Sequence, residues 1–310
     1  MFRKTISLAG AAALAVTLGS TVGPANATTS DTARSTAACT LDLGSITAAG
    51  AQTARTITAG APVSVGAVQS VPGVYPAGAV KHISTFRDFP VPEGGRTRSG
   101  MAVMGGALYE TSYNLKTNGQ IDPARPVVHR RIGGGWSNFR WIERSVEEKV
   151  SGPVRTTLYA QDTSGFFERW NLASNGVWRD SGGIGGLSTV KSMTLIGRDD
   201  FYESFLTNTR AGALMVVLVA VGTTYPMQTY GRTVRTSTWQ VFEQLIATPC
   251  GPDGSLVLGI DRDTNSAYLY QFGHVGGTGT AIKSLGKVPG TFNDPHYFRY
   301  APKIDNLTGE

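Results

Sequence analysis

The chain has 310 residues, of which 41% are hydrophobic and 16% charged, with 39 glycines, 15 prolines and two cysteines. Its formal charge of +6 is mild and dispersed, and no run of Lys and Arg occurs. That argues against nucleic acid as a partner and favours anionic wall polymers or surfaces.

The amino terminus reads as a cleavable secretory signal. Arg3 and Lys4 form a basic start, Thr5 to Gly19 an apolar stretch, and Ala25-Asn26-Ala27 a small-x-small cleavage site. The apolar run is shorter than the ~20 residues of a membrane span. Residues 1–27 are therefore the expected signal peptide, 28–38 a disordered lead rich in Ala, Thr and Ser, and 39–310 the folded domain. Export makes the protein secreted, and it makes Cys39 and Cys250 an expected disulfide closing a loop of about 210 residues.

Beyond Cys39, short apolar runs alternate with turn signals such as Asn118-Gly119, Asn175-Gly176 and Asp253-Gly254, the pattern of strands and hairpins. The region from Val63 to Gly106 has the length of one repeat unit. The best helix candidate, around Trp141 to Val150, is broken at once by Ser151-Gly152-Pro153. The run Ala211 to Val221 is Val-rich and reads as a strand buried on both faces.

Self-similarity is the stronger signal. Leu108-Tyr109 and Leu158-Tyr159 each precede a Gly-rich element, at Gly133 and Gly183, by 25 positions. Weaker copies start at Phe201-Tyr202 and near Leu256. Starts at 108, 158, 201 and 256 give a period suited to propeller blades of four strands, with a β-sandwich as the alternative.

No nucleophile elbow accompanies Ser188, and His82, His129, His274 and His296 stand apart in sequence. Asp261-x-Asp263-x-Asn265 has calcium-loop spacing, but it lacks the following Gly and a closing Glu, and it reads as a hairpin turn; no metal or cofactor is expected. Asp88, Glu110, Asp162, Glu203 and Asp261 are the carboxylates for a glycosidase reading, with Tyr109-Glu110 and Tyr202-Glu203 at matching repeat positions. Trp136 with Ser137 and Asn138, and Trp178 with Arg179 and Asp180, pair an indole with polar neighbours as sugar stacking requires. Core packing is their alternative.

Leu-Tyr, an aromatic-tipped strand, and then Ile132-Gly133-Gly134-Gly135-Trp136-Ser137 or Gly182-Gly183-Ile184-Gly185 resemble the blades of tachylectin-like β-propellers. The match covers two blades, and Gly186 or Leu187 stands where the first has Trp136. The resemblance implies an all-β propeller of five blades, each of four antiparallel strands. It implies a non-enzymatic, lectin-like protein binding glycans or cell-surface polymers through several weak sites. A secreted glycoside hydrolase on that architecture, or a scaffold or inhibitor of another secreted protein, are the alternatives.

Overall fold

The computed structural model describes residues 38–149, 154–222 and 225–309. The expected signal peptide, and the expected lead apart from Ala38, lie outside the described residues. Among those residues every regular element is a strand, and no helix is long and apolar enough to cross a membrane.

The chain opens with β1 (Thr40–Ile46), β2 (Gln52–Thr58), β3 (Ser64–Val65) and β4 (Gln69–Val71). It continues through β5 (Val80–Ile83), β6 (Phe86–Pro90), β7 (Arg96–Met104), β8 (Ala107–Leu115) and β9 (Val128–Gly134). Three antiparallel four-stranded sheets follow in strict chain order. The first holds β10 (Phe139–Glu147), β11 (Arg155–Asp162), β12 (Phe167–Leu172) and β13 (Trp178–Ile184). The second holds β14 (Val190–Arg198), β15 (Tyr202–Thr209), β16 (Leu214–Ala220) and β17 (Thr229–Arg235). The third holds β18 (Gln244–Pro249), β19 (Ser255–Asp261), β20 (Ser266–Phe272) and β21 (Ile282–Lys287).

The last strand, β22 (His296–Ala301), returns to pair antiparallel with β1, Ile46 opposite His296 and Leu43 opposite Arg299. A two-residue parallel pairing, Tyr300 with Phe86 and Ala301 with Arg87, joins that group to β6–β9 in one ten-stranded sheet. Both β5 and β6 pair with β7, so they are halves of one first strand, interrupted where Ser84 exchanges hydrogen bonds with Met101.

The apolar residues fill the spaces between neighbouring groups of strands. Met101, Val103 and Leu108 meet Ile142 and Leu158. Tyr159 and Phe167 meet Phe205, with ring centroids 5.0–5.7 Å apart. Val216 and Leu206 meet Val257 and Leu245, Leu256 and Leu258 meet Leu41 and Leu43, and Ile46 meets Phe86 and Tyr113. The Ala211–Val221 run supplies β16, buried along nearly its whole length as its Val content anticipates.

One device recurs at every connection into a first strand. An apolar residue donates its backbone N–H to the carbonyl of a turn residue between the second and third strands of the preceding group. The pairs are Tyr75 to Gly50 (3.0 Å), Trp136 to Gly106 (3.0 Å), Leu187 to Gly165 (3.2 Å), Trp239 to Gly212 (3.0 Å) and Phe292 to Asn265 (3.0 Å). The five turn residues all have left-handed φ, from 51° to 97°, which explains four glycines and an asparagine there. The donors fall at intervals of 61, 51, 52 and 53 residues, and this is the chain's true repeat.

Three expectations need correction. Trp141–Glu147 belongs to strand β10 and not to a helix. Its side chains serve two interfaces in alternation: Trp141 lies against Phe167 and Phe205, while Ile142 joins Met101 and Val103. A strand buried on both sides carries no two-sided polar signature. Leu108 lies on β8, third in its group, whereas Leu158 lies on β11, second in its sheet, so the shared spacing compares different strands. The region 63–106 straddles two groups, β3 and β4 pairing with β2, and β5 and β6 with β7.

The turn signals fall between strands as expected, Asn118-Gly119 between β8 and β9, Asn175-Gly176 between β12 and β13, and Asp253-Gly254 between β18 and β19. Cys39 and Cys250 form a disulfide with Cα atoms 5.4 Å apart, tying the start of β1 to the end of β18.

Candidate functional site

A funnel of about 250 Å³ lies where the first strands begin. Lys81, His82 and Ile83 come from β5, Arg140 and Trp141 from β10, Lys191 to Met193 from β14, Gln244 from β18, and His296 and Tyr297 from β22; Glu243 precedes β18 and Arg262 follows β19. With Ile142 and Pro295, each strand group thus contributes three residues.

The lining is fixed by hydrogen bonds. Glu243 accepts Lys191 Nζ at 2.6 Å on one oxygen and the backbone N–H of Arg262 at 2.7 Å on the other. The Arg262 guanidinium donates to the carbonyls of Asp294 (3.0 Å) and Pro295 (2.9 Å). Arg140 donates to the carbonyl of Val190 at 2.9 Å, and its Nε is buried without a partner. His296 Nε2 lies 3.0 Å from the Val80 carbonyl. Burial pushes the His296 imidazole down to about 4 against that bond, aided by neighbouring His82 and Arg262. Burial likewise lowers His82, against a backbone bond to Phe139. Burial thus disfavours the cationic form of both rings.

At the opposite ends of the first strands, residues 302–309 fold back across the molecule. Asp305 pairs with Arg299 and Arg198, the Arg198 N–H donates to Leu307, and the Gly309 N–H donates to Ile196. Between the two ends Glu143, on β10, accepts the backbone N–H of Thr85 at 3.2 Å and of Arg144 at 3.0 Å. Burial drives its carboxyl up to about 7, against those bonds and the charge of Arg299.

The tryptophan positions sit elsewhere. Trp136 is 7% exposed and lies 4.5 Å from Phe139 and 5.2 Å from Trp170, between ring centroids. Trp178, at the start of β13, is half-buried against the same cluster, and its indole N–H is buried without a partner. Ser137, Asn138, Arg179 and Asp180 are exposed. Asp180 accepts the Tyr225 hydroxyl at 3.0 Å. The two tryptophans thus share one aromatic cluster, with Trp136 in the packed layer.

The carboxylates of the glycosidase reading do not converge. Asp88 pairs with Arg96 and Arg98, Glu110 with Arg130 and Arg144, and Glu203 takes the Ser145 hydroxyl at 2.6 Å. Asp162 caps the β11–β12 turn and Asp261 the β19–β20 turn. Glu110 lies on the third strand of its group and Glu203 on the second strand of its sheet, so they are not equivalent positions. The Asp261–Asn265 triplet forms that hairpin turn. Reading along the chain missed the funnel, because its residues arrive at most three at a time from six separated segments. The signal that could have found it is the residue just past each connecting turn.

No protein-family model matches the chain, and no curated protein does. Among solved structures the chain is similar to the crystal structure of AofleA from Arthrobotrys oligospora, with 11% identity. The likeness covers 83% of this chain and 91% of that chain at a TM-score of 0.41. Neither fold nor ligand is taken from a likeness at that level.

Proposed function

We propose that this chain is an exported, non-enzymatic recognition protein, a five-bladed β-propeller that binds glycans or cell-surface polymers. Four observations support the architecture: four-stranded groups in chain order, a recurring joint at every connection, apolar layers between successive groups, and the return of β22 to β1. Tachylectin-like propellers are the family this build brings to mind. The Cys39–Cys250 bond supports export.

The observation that carries the functional reading is the funnel. Each strand group brings polar, cationic or aromatic side chains to one opening, and residues 302–309 cross the other ends. A retaining or inverting hydrolase needs two carboxyl groups some 5–10 Å apart across a sugar. Here the one funnel carboxylate, Glu243, is engaged by Lys191 and Arg262. The Trp178 edge, with Ser137, Asn138, Arg179 and Asp180 exposed, is a second place for sugar contact, and Trp136 supports it from beneath.

A glycan array with the purified secreted chain tests this reading. Capture of a defined glycan class, weakened by Trp178→Ala or by funnel substitutions, is the expected result. Failure to capture any glycan or wall polymer overturns recognition. Turnover of aryl glycosides overturns the non-enzymatic part.

A further inference from the structure

The funnel carries more positive than negative charge, and its hydrogen bonds do not cancel the difference. Among the described residues Glu243 is its one carboxylate, and both oxygens are occupied. Four cationic side chains, Lys81, Arg140, Lys191 and Arg262, line the same space. Arg262 and Arg140 donate mainly to backbone carbonyls, which satisfy N–H groups but supply no counter-charge. Lys81 is exposed and has no ion pair among the described residues.

The nearby acids bond elsewhere. Asp294 accepts the Ser45 hydroxyl, and Asp162 caps its own hairpin. Burial and then the charge of Arg210 lower the basicity of Arg140, and the Asp162 charge offsets them only in part. Alongside the cations, Trp141 and Ile83 supply apolar walls, and Ser192 and Gln244 supply polar groups. A site with excess cationic charge, an apolar wall and hydroxyl-matching groups suits a sugar that bears an acid better than a bare ion or a neutral sugar.

We infer that the funnel recognises an anionic saccharide, a uronate or a sugar sulfate, whose acid group sits among Lys81, Arg140 and Lys191. This rests on the glycan-recognition reading above and adds the class of sugar.

Calorimetric titration of the full chain tests it, with oligoglucuronate, the carboxyl-reduced neutral oligosaccharide, a sulfated oligosaccharide and inorganic sulfate as probes. An acidic oligosaccharide should bind at least about tenfold tighter than the neutral one. It should weaken about threefold or more between 20 and 150 mM salt, as an incompletely buried charge contact does. Lys81→Glu, at an exposed position, should weaken it by about tenfold or more, and Lys287→Glu on the outer strand β21 should leave it within about twofold. Equal affinity for acidic and neutral sugars overturns the inference while leaving glycan recognition standing. Inorganic sulfate binding as tightly as the saccharides overturns the saccharide assignment. Binding of none of the saccharides overturns this inference alone, whereas the recognition reading beneath it falls only if the glycan array also captures nothing.

Discussion

Trp136 donates its backbone N–H to the carbonyl of Gly106 at 3.0 Å, and the Trp136 carbonyl then accepts the N–H of Phe139 at 3.4 Å. One residue thereby fastens the β7–β8 turn to the start of β10, while its indole fills the layer between them. Trp239 does the same with Gly212 and Phe242. Truncating a buried large aromatic costs about 3–5 kcal/mol. Trp136→Ala and Trp239→Ala should each lower the unfolding free energy by that order, read from the denaturation curve, and equally whether or not a glycan is present. A Trp136→Ala protein of native stability that loses only glycan binding would show that the indole is a contact residue instead.

Asp305 should be the most acid-sensitive point. It holds Arg299 with two bonds, at 2.8 and 2.6 Å, and Arg198 at 3.1 Å. Burial opposes its ionisation, but the two guanidinium groups outweigh burial and hold its carboxyl below the usual range. The contribution is present above the unfolded value of about 4 and is lost as pH falls through the lower folded value. Asp305→Asn leaves two buried cations without their counter-charge and should cost about 3–5 kcal/mol at pH 7. The variant's midpoint should change less than the parent's between pH 5 and pH 2.5. Parallel curves would remove Asp305 as the cause.

Glu143 has the opposite sign. Its folded value of about 7 lies above the unfolded value near 4.3, so its contribution is full below that lower value and is lost as pH rises to about 7. Glu143→Gln keeps an acceptor for the Thr85 N–H and carries no charge. It should flatten the fall in melting temperature between pH 5 and pH 8, and it should be the more stable protein at pH 8. A variant whose profile tracks the parent over that window would refute the assignment.

Gly100 on β7 lies under the Phe86 ring of β6, and a Cβ there would collide with it. Gly44 stands in the same relation to Phe298 across β1 and β22. Gly100→Ala should therefore cost about 1–3 kcal/mol by overpacking, despite alanine's higher strand and helix preference. A chemical denaturation curve superimposable on the parent's would mean that Phe86 moves aside freely.

The strand-rich class, the hairpin turns and the cysteine pairing were legible because each rests on local chemistry. Asn175-Gly176 needs only its own φ values, and Cys39 with Cys250 needs only an even count in a chain read as exported. The repeat register was not legible, because the joint is a backbone bond that tolerates Tyr75, Trp136, Leu187, Trp239 or Phe292 alike. Gly100 carries no sequence signal of its own, and only the Phe86 ring beside it shows why the position is glycine. The funnel escaped for a related reason: Lys81, Arg140 and Lys191 become neighbours only when three separated first strands begin side by side. Strand β10 hid its period because Ile142 and Trp141 are both buried, in different layers.

The bond between Cys39 and Cys250 also decides what a protease outside the cell would achieve. A single cut anywhere from 40 to 249 yields two pieces that stay covalently joined and migrate together until a reductant is added. A cut between 250 and β22 is not held by that bond, and the fragment carrying β22 would stay on the remainder only through non-covalent contacts, among them its pairings with β1 and β6.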